Sequence, residues 1–188
     1  MFAGKVVVVT GAAGVLGRAV FEYFAHGGAR VVALDYSHEL LDLAFPVKDS
    51  MHQYQEVDLT SRDSCQLVLS KVIDDLGQID VLCNIAGGFL MGEAVHETSD
   101  ATWDFLFNLN TRSIVNTSSV VVPQMQQQGS GKIVNIAAKA ATQGFANMGA
   151  YTASKAAVMR LTEAMAAELR EQQINVNCIM PGTIDTPR

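Results

Sequence analysis

Val6-Val7-Val8-Val9-Thr10-Gly11-Ala12-Ala13-Gly14-Val15-Leu16-Gly17 is the stretch that decides the fold of this chain. Four consecutive valines without a polar interruption describe a strand buried on both faces, as in a parallel sheet covered by helices. The glycines that follow permit a sharp turn. Leu16, Ala19, Val20 and Phe24 then recur at helical spacing, and Gly27-Gly28 supplies a stop, so a helix is expected over Leu16–His26. A strand that passes through glycines into a helix is the opening unit of a doubly wound sheet.

The same alternation continues outward from this unit. Further strands are expected at Val31–Leu34, Tyr54–Val57, Ile79–Cys83, Ile133–Ile136 and Ile174–Ile179. Thr60-Ser61-Arg62-Asp63 matches a capping box and opens a helix reaching Leu76. Longer helical stretches are expected over Thr102–Gln128 and Tyr151–Glu171. Strands alternating with helices predict an α/β fold of three layers, αβα, with a doubly wound parallel sheet. Residues 1–188 read as one domain, without repeat, linker or low-complexity segment.

Composition narrows the function. Of 188 residues, 49% are hydrophobic and 17% charged, which excludes a disordered chain. Thirteen Lys and Arg against 19 Asp and Glu give a net charge of -6, and the basic residues form no stripe, so neither nucleic acid nor an anionic membrane is an expected partner. No apolar run approaches the roughly 18 residues of a membrane span. Met1–Thr10 lacks the basic-then-apolar pattern of a secretory signal. Cys65, Cys83 and Cys178 are odd in number and form no C-x-x-C pair, which speaks for a reducing compartment and against zinc. His26, His38, His52 and His96 fall at no metal-ligand spacing, so no metal site is expected. The expectation is a soluble, cytoplasmic protein acting on a small molecule.

The loop of Gly11, Gly14 and Gly17 lets the backbone approach a pyrophosphate closely. The helix start at Val15 and Leu16 offers it free N–H groups and the positive end of the dipole. Asp35, ending the second strand, is placed to accept both ribose hydroxyls of NAD and to repel the 2′-phosphate of NADP; the plain alternative is a cap for the turn before Ser37. Arg18, the nearby cation, is read as part of a solvated helix face. Asp58-Leu59 ends the third strand, where Asp58 either accepts from an adenine amino group or opens the next helix as a carboxylate. Asn84-Ile85-Ala86-Gly87-Gly88 ends the fourth strand, and its small residues let backbone run along a ligand.

Tyr151 and Lys155 stand four residues apart at the start of a helix, on one face, with β-carbons about 5–6 Å apart. A free tyrosine, with a pKa of about 10, is a poor acid–base catalyst near neutrality. A neighbouring ammonium favours the phenolate and draws that pKa toward working range.

Taken in order, the glycine loop, Asp35, Asn84-Ile85-Ala86-Gly87, Tyr151/Lys155 and Pro181-Gly182-Thr183-Ile184-Asp185-Thr186 resemble the short-chain dehydrogenase/reductase family over essentially the whole chain. The resemblance implies a Rossmann-type fold, NAD as cofactor, and hydride transfer to or from an alcohol or carbonyl compound. By position, Tyr151 would be the general acid/base, and Lys155 would bind the nicotinamide ribose and lower the Tyr151 pKa. Asn108, in Phe107-Asn108-Leu109, would support a proton-relay water. Asn84, Ala86, Gly87 and Pro181, Gly182 and Ile184 to Thr186 would flank the cofactor. Members of the family pair through long helices, so a homodimer or homotetramer is implied. Within the last long helix, Val158, Leu161, Met165 and Leu169 form an apolar stripe that core packing explains in part.

Departures from the family pattern are as informative as the matches. The glycine spacing is G-x-x-G-x-x-G, where short members usually show G-x-x-x-G-x-G. The family's second asparagine after Asn84 is Ile85. A serine thirteen residues before the tyrosine falls on Ala138, and loss of such a donor typically costs about 10²–10³ in rate. Lys139 and Thr142 are the nearby polar groups. Ala138–Ala141 and Ala86–Gly88 are similar to the corresponding stretches of dihydropteridine reductases, family members that also carry alanine at this position and reduce a quinonoid ring. Three readings therefore stand beside one another: an alcohol/ketone oxidoreductase, a dihydropteridine reductase-like enzyme, and a non-catalytic NAD-binding regulatory protein. The resemblance also implies a substrate-covering segment after Arg188.

Overall fold

The alternation along Val6–Thr10 shows how the layers are built. In the computed structural model, which describes residues 1–185, this strand (β1) is buried at every position. Val6 and Val8 face a core shared with Leu69 and Val121, whereas Val7 and Val9 face a second core shared with Phe21 and Leu41. Side chains on a strand alternate faces, so one run of valines fills both. The remaining strands are β2 (Arg30–Asp35), β3 (Gln53–Glu56), β4 (Val81–Asn84), β5 (Gly131–Ile136) and β6 (Ile174–Ile179). They form a single parallel sheet in the order β3-β2-β1-β4-β5-β6.

The helices are α1 (Val15–His26), α2 (His38–Ala44), α3 (Arg62–Leu76), α4 (Asp100–Phe107), α5 (Ser113–Gln128) and α6 (Gly149–Leu169). α1 and α2 cover one face of the sheet; α3, α5 and the end of α6 cover the other. The architecture is the three-layer, Rossmann-like one that the sequence pattern predicts. Strand order reverses between β1 and β4, and the carboxyl ends of these two strands open the crevice where such sheets bind ligands.

Local differences from the sequence reading have physical causes. The α3 cap is Ser61, whose hydroxyl accepts from Ser64 N at 3.3 Å, one residue later than the capping box suggests. α2 is short and goes unseen in the periodicity; Ser37 caps it by accepting from Leu40 N. The stretch expected as one helix over Thr102–Gln128 is two, joined by a π-helical turn at Asn108–Arg112. The apolar stripe of α6 divides: Val158 and Leu169 are core, Met165 packs against it, and Leu161 lines a groove on the outer face between α5 and α6. Arg18 is exposed on α1. Among the described residues, no helix is long and apolar enough to cross a membrane, and no group of three His, Cys, Asp or Glu is set to hold a metal.

Candidate active site

The glycine loop is squeezed between two neighbours. Gly11 has φ +62°, and a Cβ on it would lie 2.8 Å from Ala86 Cα, so the exits of β1 and β4 touch there. A Cβ on Gly17 would lie 2.1 Å from Gly11 O, because α1 starts directly against the turn. Gly14 differs: its φ is -69°, and its Cβ would meet only Gly11 O at 3.4 Å. As N-cap it has no side chain to spend, so the first N–H groups of α1 stay available to a ligand.

The loop forms one end of a cleft of about 650 Å³ that also takes in Val15, Leu16, Asp35, Ala86 and Gly87. Tyr151, Lys155, Pro181, Gly182 and Ile184 line the same cleft. Asp35 ends β2 and Lys155 lies beside β5, three strand spacings away in the sheet. At about 4.8 Å per spacing that is about 14 Å, a span suited to an elongated ligand. Asp35 Oδ2 accepts from Ala13 N and Oδ1 from Tyr36 N, both at 2.8 Å, which fixes the carboxylate at the cleft edge. The glycine cradle, the open helix start and the fixed carboxylate together fit a dinucleotide.

At the other end, the first two turns of α6 carry Tyr151 and Lys155. Lys155 is buried, and its Nζ donates to Ile136 O at 2.8 Å. A Cβ on Gly87 would lie 3.0 Å from that Nζ and 2.9 Å from Asn110 Oδ1, so a glycine here keeps room where two polar groups converge. Burial lowers the Lys155 ammonium to about 8. Burial also raises Tyr151 above its ordinary value. The cause is withdrawal of the phenol from water.

The π-helical turn supplies a residue that the sequence reading missed. Asn110, 1% exposed, accepts from Gly88 N at 2.8 Å, donates to Gly88 O at 3.1 Å and donates to Ser154 Oγ at 3.0 Å. Ser154 Oγ in turn donates to Tyr151 O, and Thr111 Oγ1 to Ser154 O. The expectation placed on Asn108 is corrected: Asn108 is exposed and lines the outer groove with Arg112 and Arg160. A signal for Asn110 lay in helical phase, since it continues the buried face of Ile114, Thr117 and Val121, whereas Asn108 does not.

Three further expected cofactor residues lie elsewhere. Asn84 is buried, with Nδ2 donating to Asn135 Oδ1 and Oδ1 accepting from Thr117 Oγ1, both side-chain groups spent between sheet and helix rather than on the cleft. Asp58 ties a turn, its Oδ1 accepting from Thr60 N and Thr60 Oγ1, and it lines a smaller cavity with Tyr36 and Ser37. Leu59 is a core residue. Ala138 is buried and lines the cleft, while Lys139 is exposed and Thr142 Oγ1 donates to Lys139 O; neither polar neighbour lines the cleft. Thr186 lies outside the described residues.

The short chain dehydrogenase profile matches residues 5–188. The chain is 40% identical over 185 residues to a dehydrogenase/reductase SDR family member 6 of Aquarana catesbeiana, covering 98% of this chain and 73% of that protein. It is 38% identical to the 3-oxoacyl-(acyl-carrier-protein) reductase FabG of Thermotoga maritima, covering 98% and 76%. Among solved structures, an NAD+-bound xylitol dehydrogenase superposes with a TM-score of 0.93 at 32% identity, covering 99% of this chain and 73% of that one. The chain therefore belongs to the short chain dehydrogenase family, oxidoreductases that bind a nicotinamide cofactor.

Proposed function

We propose that this protein is an NAD(H)-dependent oxidoreductase in which Tyr151 and Lys155 serve hydride transfer between the cofactor and a small alcohol or carbonyl compound. The observation that supports it is one continuous cleft, with the Gly11–Gly17 loop and Asp35 at one end and Tyr151 and Lys155 at the other. The bound nicotinamide supplies or accepts the hydride at the substrate carbon. Tyr151 Oη gives its proton to the substrate oxygen as that carbon is reduced, converting C=O to CH–OH, and takes the proton back in the reverse direction. Lys155, a cation below about pH 8, would hold a ribose hydroxyl of the cofactor and stabilise the phenolate left on Tyr151. Asn110 keeps the Gly88 strand exit and the Tyr151 turn in register. Asp35 favours NAD over NADP, because a 2′-phosphate beside a fixed carboxylate is repelled.

The apolar methyl of Ala138 in the cleft favours a second, narrower reading: reduction of a quinonoid ring of the dihydropterin type, whose acceptor needs no serine hydroxyl. The groove between α5 and α6, with Leu161 and Val115 on its walls, is read as the face through which copies form a homodimer or homotetramer in the cytoplasm.

The test follows NADH oxidation by the protein with a quinonoid dihydropterin and a panel of ketones. Turnover is expected with NADH and not with NADPH, and Tyr151→Phe is expected to lose at least about 10² of it while still binding NADH. Unchanged turnover in Tyr151→Phe overturns the role of Tyr151, and equal use of NADPH overturns that of Asp35.

A further inference from the structure

Phe89 is the first residue past the glycine pair at the exit of β4, and it stands half exposed at the cleft. An exposed phenylalanine is usually free to swing, but the backbone that carries this one is held. The residue before it, Gly88, is clamped through both its N–H and its C=O by Asn110, at 2.8 and 3.1 Å. A Cβ on Gly88 would also lie 2.8 Å from the ring of Phe105, so α4 packs directly under the segment. From this fixed position the Phe89 ring meets the Tyr151 ring edge-on, with centroids 4.8 Å apart and planes at 87°. An aromatic pair in this geometry contributes beyond simple burial, by about 0.5–1.5 kcal/mol.

The surroundings of this pair carry almost no charge. Among the described residues of the cleft, only Asp35 and Lys155 are charged; Asp35 is at the far end, and Lys155 donates to Ile136 O. Ile136, Ala137 and Ala138 continue the wall past that bond, so a methyl faces the cleft where a hydroxyl would give a donor. The segments on either side of Phe89 and Tyr151 enclose a second cavity of about 160 Å³, lined by Leu90, Met91 and Met148 among others. Its charged lining residue is Glu93, an anion. Thr98, Thr102 and Asn147 also line that second cavity, whereas the cleft wall beside Tyr151 made by Phe89, Ala137 and Ala138 offers, among the described residues, no side-chain hydrogen-bond partner, so a hydroxyl or carboxylate buried against it would lose its water without replacement.

We infer that Phe89 is a specificity-determining residue, and that with Ala138 it shapes an apolar slot beside Tyr151 for a flat, uncharged aromatic or conjugated carbonyl compound, against polyols and acids. This rests on the proposed oxidoreductase reading for the identity of the reacting group. Binding, however, is measurable without turnover.

The experiment titrates the protein–NADH complex with acetophenone, dihydroxyacetone and pyruvate, read by NADH fluorescence. Acetophenone is expected to bind at least about tenfold more tightly than either of the others, as differential burial of an aromatic ring provides. Phe89→Ala is expected to reduce that preference about 3–10-fold with NADH affinity retained, and Phe89→Leu to recover part of it. Because Phe89 is half exposed, both variants are expected to fold. Dihydroxyacetone or pyruvate binding as tightly as acetophenone overturns the inference, as does a preference unchanged in Phe89→Ala. Tight acetophenone binding without NADH oxidation on any carbonyl probe would remove the proposed activity and leave this inference standing. Turnover that prefers dihydroxyacetone would do the reverse.

Discussion

Asp35 Oδ2 accepts a hydrogen bond at 2.8 Å from the backbone N–H of Ala13, so the carboxylate at the end of β2 is also an anchor of the glycine loop that follows β1. One residue thereby fixes two parts of the cofactor end of the cleft. Asp35→Ala is expected to weaken NADH binding by about tenfold or more, since a charge-assisted bond is worth about 1.5–3 kcal/mol, and to relax discrimination against NADPH. Titration of both cofactors into the variant checks this. A variant that still rejects NADPH as the wild type does would assign the discrimination elsewhere.

The two glycines at the ends of the loop motif differ from the one in its middle. Gly17→Ala drives a Cβ into Gly11 O, and its cost is expected to be about 1–3 kcal/mol or more, a fall of at least about 2 °C in Tm. Gly14→Ala has ordinary space and an ordinary φ, and it is expected to stay within about 0.5 kcal/mol of the wild type. Thermal unfolding of the pair measures the contrast directly. Equal destabilisation would mean that the loop is not packed as described.

Asn110 and Asn108 offer a similar contrast. Asn110→Ala leaves the Gly88 N–H and C=O without this side chain and removes the bond to Ser154, with an expected cost of about 1–3 kcal/mol and a loss of turnover. Asn108→Ala, on the exposed outer groove, is expected to change stability by less than about 0.5 kcal/mol and to leave turnover intact. Chemical denaturation and turnover of the two variants decide between the positions. If Asn108→Ala were the damaging one, the phase of the π turn would be wrong.

Lys155 couples activity and stability to pH in opposite directions. Its folded value, about 8, lies below the ordinary 10.5, so between these values the unfolded chain binds more protons than the folded one. Stability from this group is therefore fully present above 10.5 and is lost as pH falls toward 8. Reductive turnover should instead decline above about pH 8, because the ammonium that supports the Tyr151 phenolate disappears. Lys155→Met is expected to abolish turnover and to remove the alkaline rise in stability. Unfolding measurements from pH 7 to 11 on both proteins would reveal it, and an identical profile would remove the argument.

Much of this protein was determined locally, and local information is what a sequence carries well. Val6–Val9 specify a doubly buried strand because each side chain is apolar whichever face it takes. Tyr151 and Lys155 share a helix face because four residues make about one turn. Gly11 and Gly17 are legible as a tight turn, although the reason each is required, a clash with Ala86 and with Gly11 itself, belongs to the packed structure. Helical phase with Ile114, Thr117 and Val121 already set Asn110 apart from Asn108, but only the tertiary structure decided what Asn110 meets. A π-helical turn between α4 and α5 rotates the helix face, and Asn110 then finds Gly88 and Ser154, residues 22 and 44 positions away. Likewise Asn84 sits where the sequence reading sought a cofactor contact, yet its amide is drawn into the sheet by Asn135 and Thr117, 51 and 33 residues distant. Buried polar groups must find partners, and those partners come from wherever the fold brings them. Spacing along the chain named the residue types for the chemistry; their directions were set by contacts that no local window contains.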